Sequence, residues 1–439
     1  MFPVLIKATD SVAPCQPRRI RLAQQPAENP LNICLLSYRS NPHCGGQGVY
    51  LKNLARGLND MGHRVTVVSG PPGISISSDI PTYRFLGLDL YNSEDPFRTP
   101  TLKELADPIN MMEWLGVITG GFPEPFTFGI RAHRFLTKCT HRFDVVHDNQ
   151  SLSYGVHVMG GRWPLVATIH HPITVDRDIS IKNGTSFLRK VQQLRWHSFI
   201  GMQKRVARSL SRIITVSYSA RDDISEQFGI DRDRFTVIPN GVDTALFHPM
   251  AGVCRQKNRV ITINSADVPL KGLGYLLHAV AVLKNRRKIH LVIVGTLKKN
   301  GPISRLIQTL GIGGQITFTG RIDDASFIRE YNQASVAVVP SVYEGFGLPA
   351  AEAMACGVPV ISTTGGALPE VVGKAGILVP PADQEALAHA LDELLGDNNR
   401  MAGLGQAGYQ RVQRHFSWQL VAEKTATVYK EVICDYHRT

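Results

Sequence analysis

The chain has 439 residues, 43% of them hydrophobic, and this length predicts two domains rather than a single core. Its formal charge of +12 favours acidic partners such as nucleotides, anionic lipid or nucleic acid, without choosing among them. No apolar stretch reaches the ~20 residues that a membrane span needs. The seven cysteines are scattered without zinc-binding spacing, a pattern of reduced thiols that predicts a cytoplasmic protein.

Residues 1–30 form the first segment of the chain. They include Arg18, Arg19, Arg21 and several prolines, and they lack an apolar core followed by a cleavage site. We therefore expect a flexible N-terminal tail.

A βαβ pattern opens the folded part. Residues 32–37 read as a strand, and a loop ending in glycines at 45, 46 and 48 leads to a helical repeat at Leu51, Leu54, Ala55 and Leu58. Residues 64–69 read as the next strand. The loop lacks the Gly-x-Gly-x-x-Gly spacing of dinucleotide binders and the chain has no P-loop, so an oxidoreductase or a kinase is disfavoured.

Polar residues follow two later strands of the first half. Residues 147–150 come after the strand-like run 144–146, and His170 comes after the run 167–169. Ligands of open α/β sheets bind at the carboxyl ends of the strands. We therefore expect Asp148 and Asn149 to contact a substrate.

The segment 185–212 contains seven arginines and lysines and no acidic residue, with apolar residues interleaved. A basic amphipathic helix can rest on an anionic membrane or bind an anionic substrate. It can equally pack on a core and leave its basic face in solvent, and the sequence leaves both readings open.

The second half repeats the alternation of strands and helices. A strand at 259–264, a loop through Lys271, a helical stripe from Leu273 to Val280 and a strand at 289–294 follow one another. Alternation of this kind predicts parallel sheets. We expect further strands at 315–319, 336–340 and 359–362, and a join between the two domains near 244–257. The expected boundaries are a tail at 1–30, a first domain at 31–246 and a second domain at 247–415. A C-terminal helix at 416–439 is expected to pack back on the first domain.

The segment from Ser341 to Glu352 is the most informative part of the sequence. It places two carboxylates, Glu344 and Glu352, on either side of a glycine-containing loop that follows a buried strand. Pro349 suits the first turn of a helix and Gly357 suits its end, which puts Glu352 in the first helical turn. Free helix N–H groups can hold phosphate while the carboxylates accept hydroxyl hydrogen bonds, so a nucleotide sugar fits this segment.

These segments resemble glycosyltransferase family 4, of the GT-B fold, over nearly the whole chain from Asn32 onward. The resemblance rests on residues 341–352 with 356–360, on residues 237–243, and on the Gly45-Gly46 loop and the segment 167–170. It implies two facing Rossmann-like domains with parallel sheets and an interdomain cleft. It also implies sugar transfer from a nucleotide donor with retention of anomeric configuration.

The resemblance also implies roles for individual residues. Glu344 would contact donor sugar hydroxyls, Glu352 the ribose diol and Lys271 the diphosphate, and His170 would lie where sugar and acceptor meet, so His170, Lys271 and Glu344 are the expected catalytic residues. Further donor contacts are expected from Gly46, Gly345, Phe346, Gly347 and Leu348. The acceptor side is expected to include Gln47, Asp148, Asn149, His170 and Asp176. No cofactor is expected, and no metal, although Asp176 and Asp178 have the Asp-x-Asp spacing of metal-dependent transferases.

One position departs from the family pattern. The family has an arginine five positions before the lysine, where this chain has Ala266. Arg321, after the strand that ends at Thr319, is the candidate substitute for the missing phosphate contact. The departure leaves donor affinity open.

We therefore predict a retaining hexosyltransferase that uses a UDP-hexose first and a GDP-hexose second, in polysaccharide or glycolipid biosynthesis. The acceptor is unidentified, and a lipid-linked or phosphate-bearing acceptor, together with peripheral contact of residues 185–212 with an anionic membrane, would suit the basic segment. Two alternatives stay open, an NDP-sugar 2-epimerase and a non-catalytic nucleotide-sugar sensor. A nucleic-acid partner is not expected, because basic residues without a known module are weak evidence.

Overall fold

The computed structural model of the chain describes residues 6–7, 29–40, 46–73, 76–92, 95–182, 186–264 and 268–438. These residues fold into two compact units. The first unit contains the described residues up to Val216, together with Arg221–Ile238 and the residues from Val421 onward. The second contains Ser217–Ala220 and Pro239–Leu420.

Each unit is built on one β-sheet. The strands of the first unit are β1 (Ile6–Lys7), β2 (Asn32–Ser37), β3 (Arg64–Ser69), β4 (Thr82–Arg84), β5 (Val145–Asn149), β6 (Leu165–Ile169), β7 (Ile213–Thr215) and β8 (Phe235–Val237). Those of the second are β9 (Arg259–Ile263), β10 (His290–Val294), β11 (Ile316–Phe318), β12 (Val336–Val339), β13 (Val360–Thr363) and β14 (Ile377–Val379).

Helices alternate with these strands. They are α1 (Gly46–Asp60), α2 (Leu102–Leu105), α3 (Pro108–Ile118), α4 (Glu124–Lys138), α5 (Tyr154–Met159), α6 (Ile173–Lys182), α7 (Phe187–Trp196), α8 (Ile200–Ser209), α9 (Tyr218–Phe228), α10 (Leu273–Leu283), α11 (Pro302–Leu310), α12 (Asp324–Gln333), α13 (Leu348–Ala355), α14 (Leu368–Val372), α15 (Gln384–Gly396), α16 (Asn398–His415) and α17 (Trp418–Arg438). Within the described residues, no helix is both long and apolar enough to cross a membrane.

The strand order explains where ligands can bind. The first sheet runs β1-β4-β3-β2-β5-β6-β7-β8 and the second runs β11-β10-β9-β12-β13-β14. Neighbouring strands are parallel except for β1 and β4. The chain changes direction along the sheet between β2 and β5 in the first unit and between β9 and β12 in the second. Such switch points form the ligand crevice of open α/β sheets, at the carboxyl ends of the strands.

The buried faces confirm the predicted α/β class. In α1 the residues Leu51, Leu54, Ala55 and Leu58 are buried, as their helical spacing predicts. The central strand β9 of the second unit has four buried residues out of five, because helices cover both faces of a parallel sheet. Leu276, Leu277 and Val280 of α10 pack in the same core.

The structure differs from the sequence-based expectations at three places. Ile6 and Lys7, within the expected tail, pair antiparallel with β4, while residues 1–5 and 8–28 lie outside the described residues. The basic segment 185–212 forms two helices rather than one, separated by a 3₁₀ turn at His197–Phe199. Glu352 is the fifth residue of α13 and so lies in its second turn rather than its first, because the helix begins at Leu348.

Candidate functional site

An ion pair marks the switch point of the second unit. The Nζ atom of Lys271 lies 2.7 Å from Oε1 of Glu344. Lys271 ends a 3₁₀ turn (Pro269–Lys271) in the connection after β9, and Glu344 lies in the loop between β12 and α13. The structure therefore brings together two side chains that were both predicted to contact the donor.

Backbone contacts hold these two loops against each other. The N–H of Val342 donates to the carbonyl of Leu270 at 2.8 Å. Gly272 has φ of +69°, and a Cβ atom there would lie 1.9 Å from the carbonyl oxygen of Pro340. Only glycine accommodates this backbone conformation and this close approach without displacing the neighbouring loop.

A third loop, between β13 and α14, contacts the backbone of Glu344. The N–H of Ala367 donates to the carbonyl of Glu344 at 2.9 Å. Gly366 has φ of +61°, and a Cβ atom there would lie 2.3 Å from that same carbonyl oxygen. The sequence analysis missed this loop, although a Gly365-Gly366 pair directly after a predicted strand was the available signal.

A short polar contact orients the Glu344 carboxylate. The Oγ of Ser341 donates to Oε1 of Glu344 at 2.7 Å, so the same oxygen accepts hydrogen bonds from Ser341 and from Lys271. Ser341 was not singled out from the sequence, because a serine after a strand carries no specific signal. The other oxygen, Oε2, has no hydrogen-bond donor within the described ranges and is left for hydroxyl groups.

The N-terminus of α13 adjoins this pair. Gly347 has φ of +100° and precedes the helix, and Pro349 occupies its first turn. Phe346 is buried against Phe416, with ring centroids 5.6 Å apart, and the carbonyl of Gly345 accepts a hydrogen bond from Ser217 at 2.8 Å. The side chain of Phe346 is thus structural, and what this loop can offer a ligand is its backbone N–H groups at the positive end of α13.

Glu352 lies deeper in the unit. Its Oε2 accepts a hydrogen bond of 3.3 Å from the hydroxyl of Tyr331, which is itself fully buried. Burial raises the pKa of Glu352 to about 7, against the opposite effect of the Tyr331 hydrogen bond. Tyr331 was not identified from the sequence, because no local pattern places a hydroxyl of α12 against a carboxylate of the next helix, α13.

Two predicted features of the second unit do not join this cluster. Arg321 is exposed in the loop after β11 and has no ion-pair or hydrogen-bond partner within the described ranges. Ala266 lies outside the described residues. The expected substitution of Arg321 for the missing arginine stays a prediction.

In the first unit, His170 and Asn149 meet at the carboxyl ends of β6 and β5. His170 Nε2 lies 2.8 Å from Asn149 Oδ1. The Asn149 amide nitrogen donates to the carbonyl of Gln47 at 3.2 Å and to Ser37 Oγ at 3.4 Å, which fixes Oδ1 as an acceptor. His170 must then carry its proton on Nε2, and its Nδ1 is a hydrogen-bond acceptor without a partner among the residues that the structure describes.

A second buried histidine, His147, is connected to His170 through Thr168 and Tyr50. His147 is hydrogen-bonded through Nδ1 to the hydroxyl of Tyr429 at 2.6 Å and through Nε2 to Thr168 at 2.7 Å. The hydroxyl of Tyr50 also lies 3.0 Å from Thr168, and its ring packs edge-on against His170. Burial lowers the pKa of His147 and of His170 to about 3, so both rings are neutral at physiological pH.

The remaining first-unit residues are placed as follows. Asp148 is fully buried and accepts hydrogen bonds from Ser151 and from the N–H of Leu152. It holds the loop after β5, and its predicted acceptor contact stays a prediction. Gly46 is exposed at the start of α1 with Gln47 half-buried beside it, and Asp176 lies in α6, where its side chain is not described.

No cluster of three or more potential metal ligands occurs among the residues that the structure describes. In α6 the exposed carboxylate of Asp178 pairs with its neighbour Arg177 at 2.8 Å. The polar groups at both switch points are the kinds that bind hydroxyls and phosphates, namely carboxylates, an amide, a lysine and backbone N–H groups.

Comparison with known families gives two matches that together span both units. Residues 44–246 match the model described as Glycosyltransferase Family 4, and residues 252–411 match the model described as Glycosyl transferases group 1. The signature segment 341–352 falls within the second match.

Two relatives illustrate the sequence similarity. The chain is 45% identical over 408 residues to an MMP alpha-(1->4)-mannosyltransferase of Mycolicibacterium hassiacum, an alignment that covers 92% of this chain and 98% of the relative. It is 27% identical to a D-inositol 3-phosphate glycosyltransferase of Streptomyces bingchenggensis, with 93% of this chain and 91% of the relative covered.

Solved structures share the fold. Sucrose-phosphate synthase from Thermosynechococcus elongatus superimposes with a TM-score of 0.72 at 24% identity, covering 92% of this chain and all of that one. The Anabaena protein Alr3699/HepE in complex with UDP and glucose gives a TM-score of 0.65 at 19% identity, covering 91% of this chain and all of that one. At these identities the likeness speaks for the fold alone.

Proposed function

The chain belongs to glycosyltransferase family 4, of the GT-B fold, and we propose that this glycosyltransferase moves a hexose from a nucleotide-sugar donor to an acceptor hydroxyl with retention of configuration. The observation that carries the proposal is the Lys271–Glu344 pair beside the N-terminus of α13. It combines a cation and N–H groups for a diphosphate with a carboxylate for sugar hydroxyls.

The chemistry required of the donor site is stabilisation of a leaving group. As the bond between the anomeric carbon and the β-phosphate oxygen breaks, negative charge grows on that phosphate. Lys271 and the N–H groups of α13 would stabilise this charge, and the proposal invokes no metal or other cofactor. Glu344 would leave Lys271 for the sugar hydroxyls as the phosphate takes its place.

Transfer also needs a destination for the acceptor proton. We assign it to the departing phosphate oxygen on the same face of the sugar, while the acceptor oxygen forms the new bond to the anomeric carbon. No protein group then has to act as general base. His170 of the first unit, held neutral with Nδ1 unpartnered among the described residues, would accept a hydrogen bond from an acceptor hydroxyl.

Glu352 is proposed to bind the ribose diol of the donor. A carboxylate accepts from both vicinal hydroxyls at once, which suits a nucleoside whose 2′ and 3′ hydroxyls are adjacent. The partly buried position beside Tyr331 gives the carboxylate a fixed orientation.

The class of donor follows from the same relatives. A mannosyltransferase at 45% identity supports a hexose and an α-linked product, which an α-linked donor gives by retention. The proposed donors remain a UDP-hexose first and a GDP-hexose second, so UDP-glucose and GDP-mannose are the probes.

The proposal is tested by a thermal-shift screen with UDP, GDP, UDP-glucose and GDP-mannose. A ligand at a hundred times its Kd stabilises by ~2.7 kcal/mol, which raises the melting temperature measurably. We expect one nucleotide series to shift melting and Glu352→Ala to reduce that shift. Melting unchanged by all four compounds would contradict the proposal.

The same donors separate the alternatives. Incubation with the shifting donor alone should give slow hydrolysis if the protein is a transferase, whereas a 2-epimerase would yield epimerised donor. A nucleotide-sugar sensor would bind donor tightly and release no nucleoside diphosphate with any acceptor. We favour transfer because His170 Nδ1, which has no hydrogen-bond partner among the described residues, can serve an acceptor hydroxyl, which neither alternative requires.

We further propose that α7 makes peripheral contact with anionic membrane in the cytoplasm, where a lipid-linked or phosphate-bearing acceptor would be met. None of its residues is buried, and Phe187 and Leu188 are 80% and 74% exposed beside the exposed side chains of Arg189 and Lys190. The following helix α8 instead buries Met202, Gln203 and Val206 in the first unit. Apolar and basic side chains on one helix suit the boundary of an anionic bilayer.

A further inference from the structure

Arg39 lies directly after β2, at the switch point of the first unit, and is held rigidly. Its Nε lies 2.6 Å from Oε2 of Glu124, and its Nη2 donates to Oε1 at 3.3 Å. The guanidinium also lies over the rings of Tyr91 and Phe122, at 5.0 and 5.3 Å from their centroids. These contacts use the Nε and Nη2 atoms and the ring-facing surface of the group, and they leave Nη1 without a protein partner among the described residues.

A hydrogen-bonded chain connects Arg39 with His170. The carbonyl of Arg39 accepts from Ser37 Oγ at 2.8 Å, and Ser37 Oγ accepts from the Asn149 amide. The oxygen of that amide accepts from His170 Nε2 at 2.8 Å. Arg39, Asn149 and His170 therefore belong to one network along the carboxyl ends of β2, β5 and β6.

The charges around Arg39 cancel. Glu124 neutralises Arg39, and the neighbouring Arg131 is buried with Glu113 at 2.7 Å. A cavity of about 20 Å³ lies between Tyr38, Glu124 and Arg131, large enough for one water molecule. A phosphate group here would face the Glu124 carboxylate without an uncompensated cation, and such a contact is unfavourable.

We propose that Arg39 and Glu124 form an acceptor subsite for an uncharged sugar residue. The free Nη1 donates to one hydroxyl, Oε1 of Glu124 accepts from another because Oε2 is fully buried, and Tyr91 offers a partly exposed ring beside them. This inference deepens the proposed function and rests on it. It predicts that the part of the acceptor bound by Arg39 and Glu124 is an uncharged sugar rather than a phosphate, whether or not that sugar is attached to a lipid or another group.

The test measures nucleoside diphosphate release at pH 8, because burial raises the pKa of Glu124 to about 7 and its carboxyl is ionised there. The donor is whichever of UDP-glucose and GDP-mannose shifts melting. Methyl α-mannoside and methyl α-glucoside are compared with mannose 6-phosphate and glucose 6-phosphate. We expect the methyl glycosides to accelerate release and the sugar phosphates to have no effect.

Arg39→Ala should raise the acceptor KM at least tenfold and leave donor hydrolysis and the nucleotide-induced melting shift unchanged. Arg39→Lys keeps the charge but loses the fork of donors, so its acceptor KM should also rise. Acceleration by the sugar phosphates only, acceleration by neither class, or an unchanged KM in both variants would overturn the inference. A wild-type protein that no nucleotide stabilises would instead mark failure of the proposed function itself.

Discussion

Lys271 and Glu344 are 73 positions apart in the chain, and their side chains meet with Nζ and Oε1 at 2.7 Å. The pair satisfies both charges while no donor is present, and Lys271 remains about one-third exposed. A diphosphate would offer the lysine a doubly charged partner and release Glu344 for hydroxyl groups. A partly exposed pair contributes little to stability, and under the proposed function this ion pair is the resting state of the donor site.

The first prediction concerns Lys271. Lys271→Ala should reduce turnover about a hundredfold or more, because removing one preorganised interaction with developing charge costs ~3–4 kcal/mol of barrier. Turnover is measured as nucleoside diphosphate release. Lys299→Ala, at an exposed lysine of the same unit, is the matched control and should retain wild-type turnover. A Lys271→Ala enzyme within a factor of three of wild type would contradict the role.

The second prediction concerns Gly366. Gly366→Ala should lower both activity and melting temperature, because the added Cβ would meet the carbonyl oxygen of Glu344 at 2.3 Å. Gly320→Ala is the control, since Gly320 has φ of +70° and open space around its Cβ position. Both variants bear the cost of a left-handed backbone, ~1 kcal/mol or more, so the extra loss in Gly366→Ala measures the close approach. Equal losses would show that the contact with Glu344 is unimportant.

The third prediction is a pH dependence at Glu352. Its folded pKa of about 7 lies above the ordinary value of 4.5, so its contribution to stability is complete below pH 4.5 and is lost as the pH rises to 7. Glu352→Gln should therefore be more stable relative to wild type at pH 8 than at pH 5. The groups that act on this carboxyl are Tyr331 and Asp324, and both remain in the variant.

Ionisation of Glu352, which lowers the stability of the fold, should raise the affinity for nucleotide. An ionised Glu352 is the better acceptor for the ribose diol, so nucleotide Kd should fall by up to about tenfold between pH 6 and pH 8. Glu352→Gln should lack this change, while any titration of the nucleotide itself is common to both proteins. Parallel pH profiles for the two proteins would remove Glu352 from the donor site.

The fourth prediction concerns the two neutral histidines of the first unit. Burial lowers the pKa of His147 and His170 to about 3, below the ordinary 6.5, so their contribution to stability is present above pH 6.5 and is lost as the pH falls toward 3. Within this range, each histidine lowers the free energy of unfolding by ~1.4 kcal/mol for every unit by which the pH falls. His147→Gln should flatten the fall in melting temperature between pH 6 and pH 4. His389→Gln, at a largely exposed histidine, should reproduce the wild-type curve.

The fifth prediction concerns α7. Replacing both Phe187 and Leu188 by serine should weaken binding to vesicles that contain anionic lipid at least tenfold in a sedimentation assay. The reason is that burying each apolar side chain in the bilayer contributes ~1.5–3 kcal/mol to the binding free energy. Val282→Ser, at a 62% exposed valine of α10, is the control and should bind as wild type. Wild-type protein that fails to sediment with such vesicles would refute the membrane contact.

Much of the fold could be predicted because it depends on patterns within short stretches of sequence. The alternation of apolar strands and helical stripes identified both sheets, and the strands at 32–37 and 64–69 have the predicted bounds. The start of α13 near Pro349 and its end before Gly357 follow from fixed φ at proline and left-handed backbone at glycine.

The site was less predictable, because its contacts join elements distant along the chain. Asp148 has the same surroundings in sequence as Asn149, yet one is fully buried in a loop-holding role and the other binds His170. Adjacent residues at the end of a strand point to opposite faces, and the sequence does not say which side chains each face meets. Tyr331 and Gly366 were missed for a related reason, since each acts through a contact more than 20 positions away along the chain, whereas Ser341 contacts Glu344 three positions later but carries no specific sequence signal.

By itself the sequence determined the α/β class, the repeated pattern of the two units and the segment that carries both carboxylates, because these depend on hydrophobic period and on turn chemistry. Only the tertiary structure decided that Lys271 pairs with Glu344, that Glu352 is half-buried beside Tyr331 and that Arg39 pairs with Glu124. Those relationships depend on strand order and loop packing, which bring residues together according to their positions in the folded sheets rather than their distance along the chain.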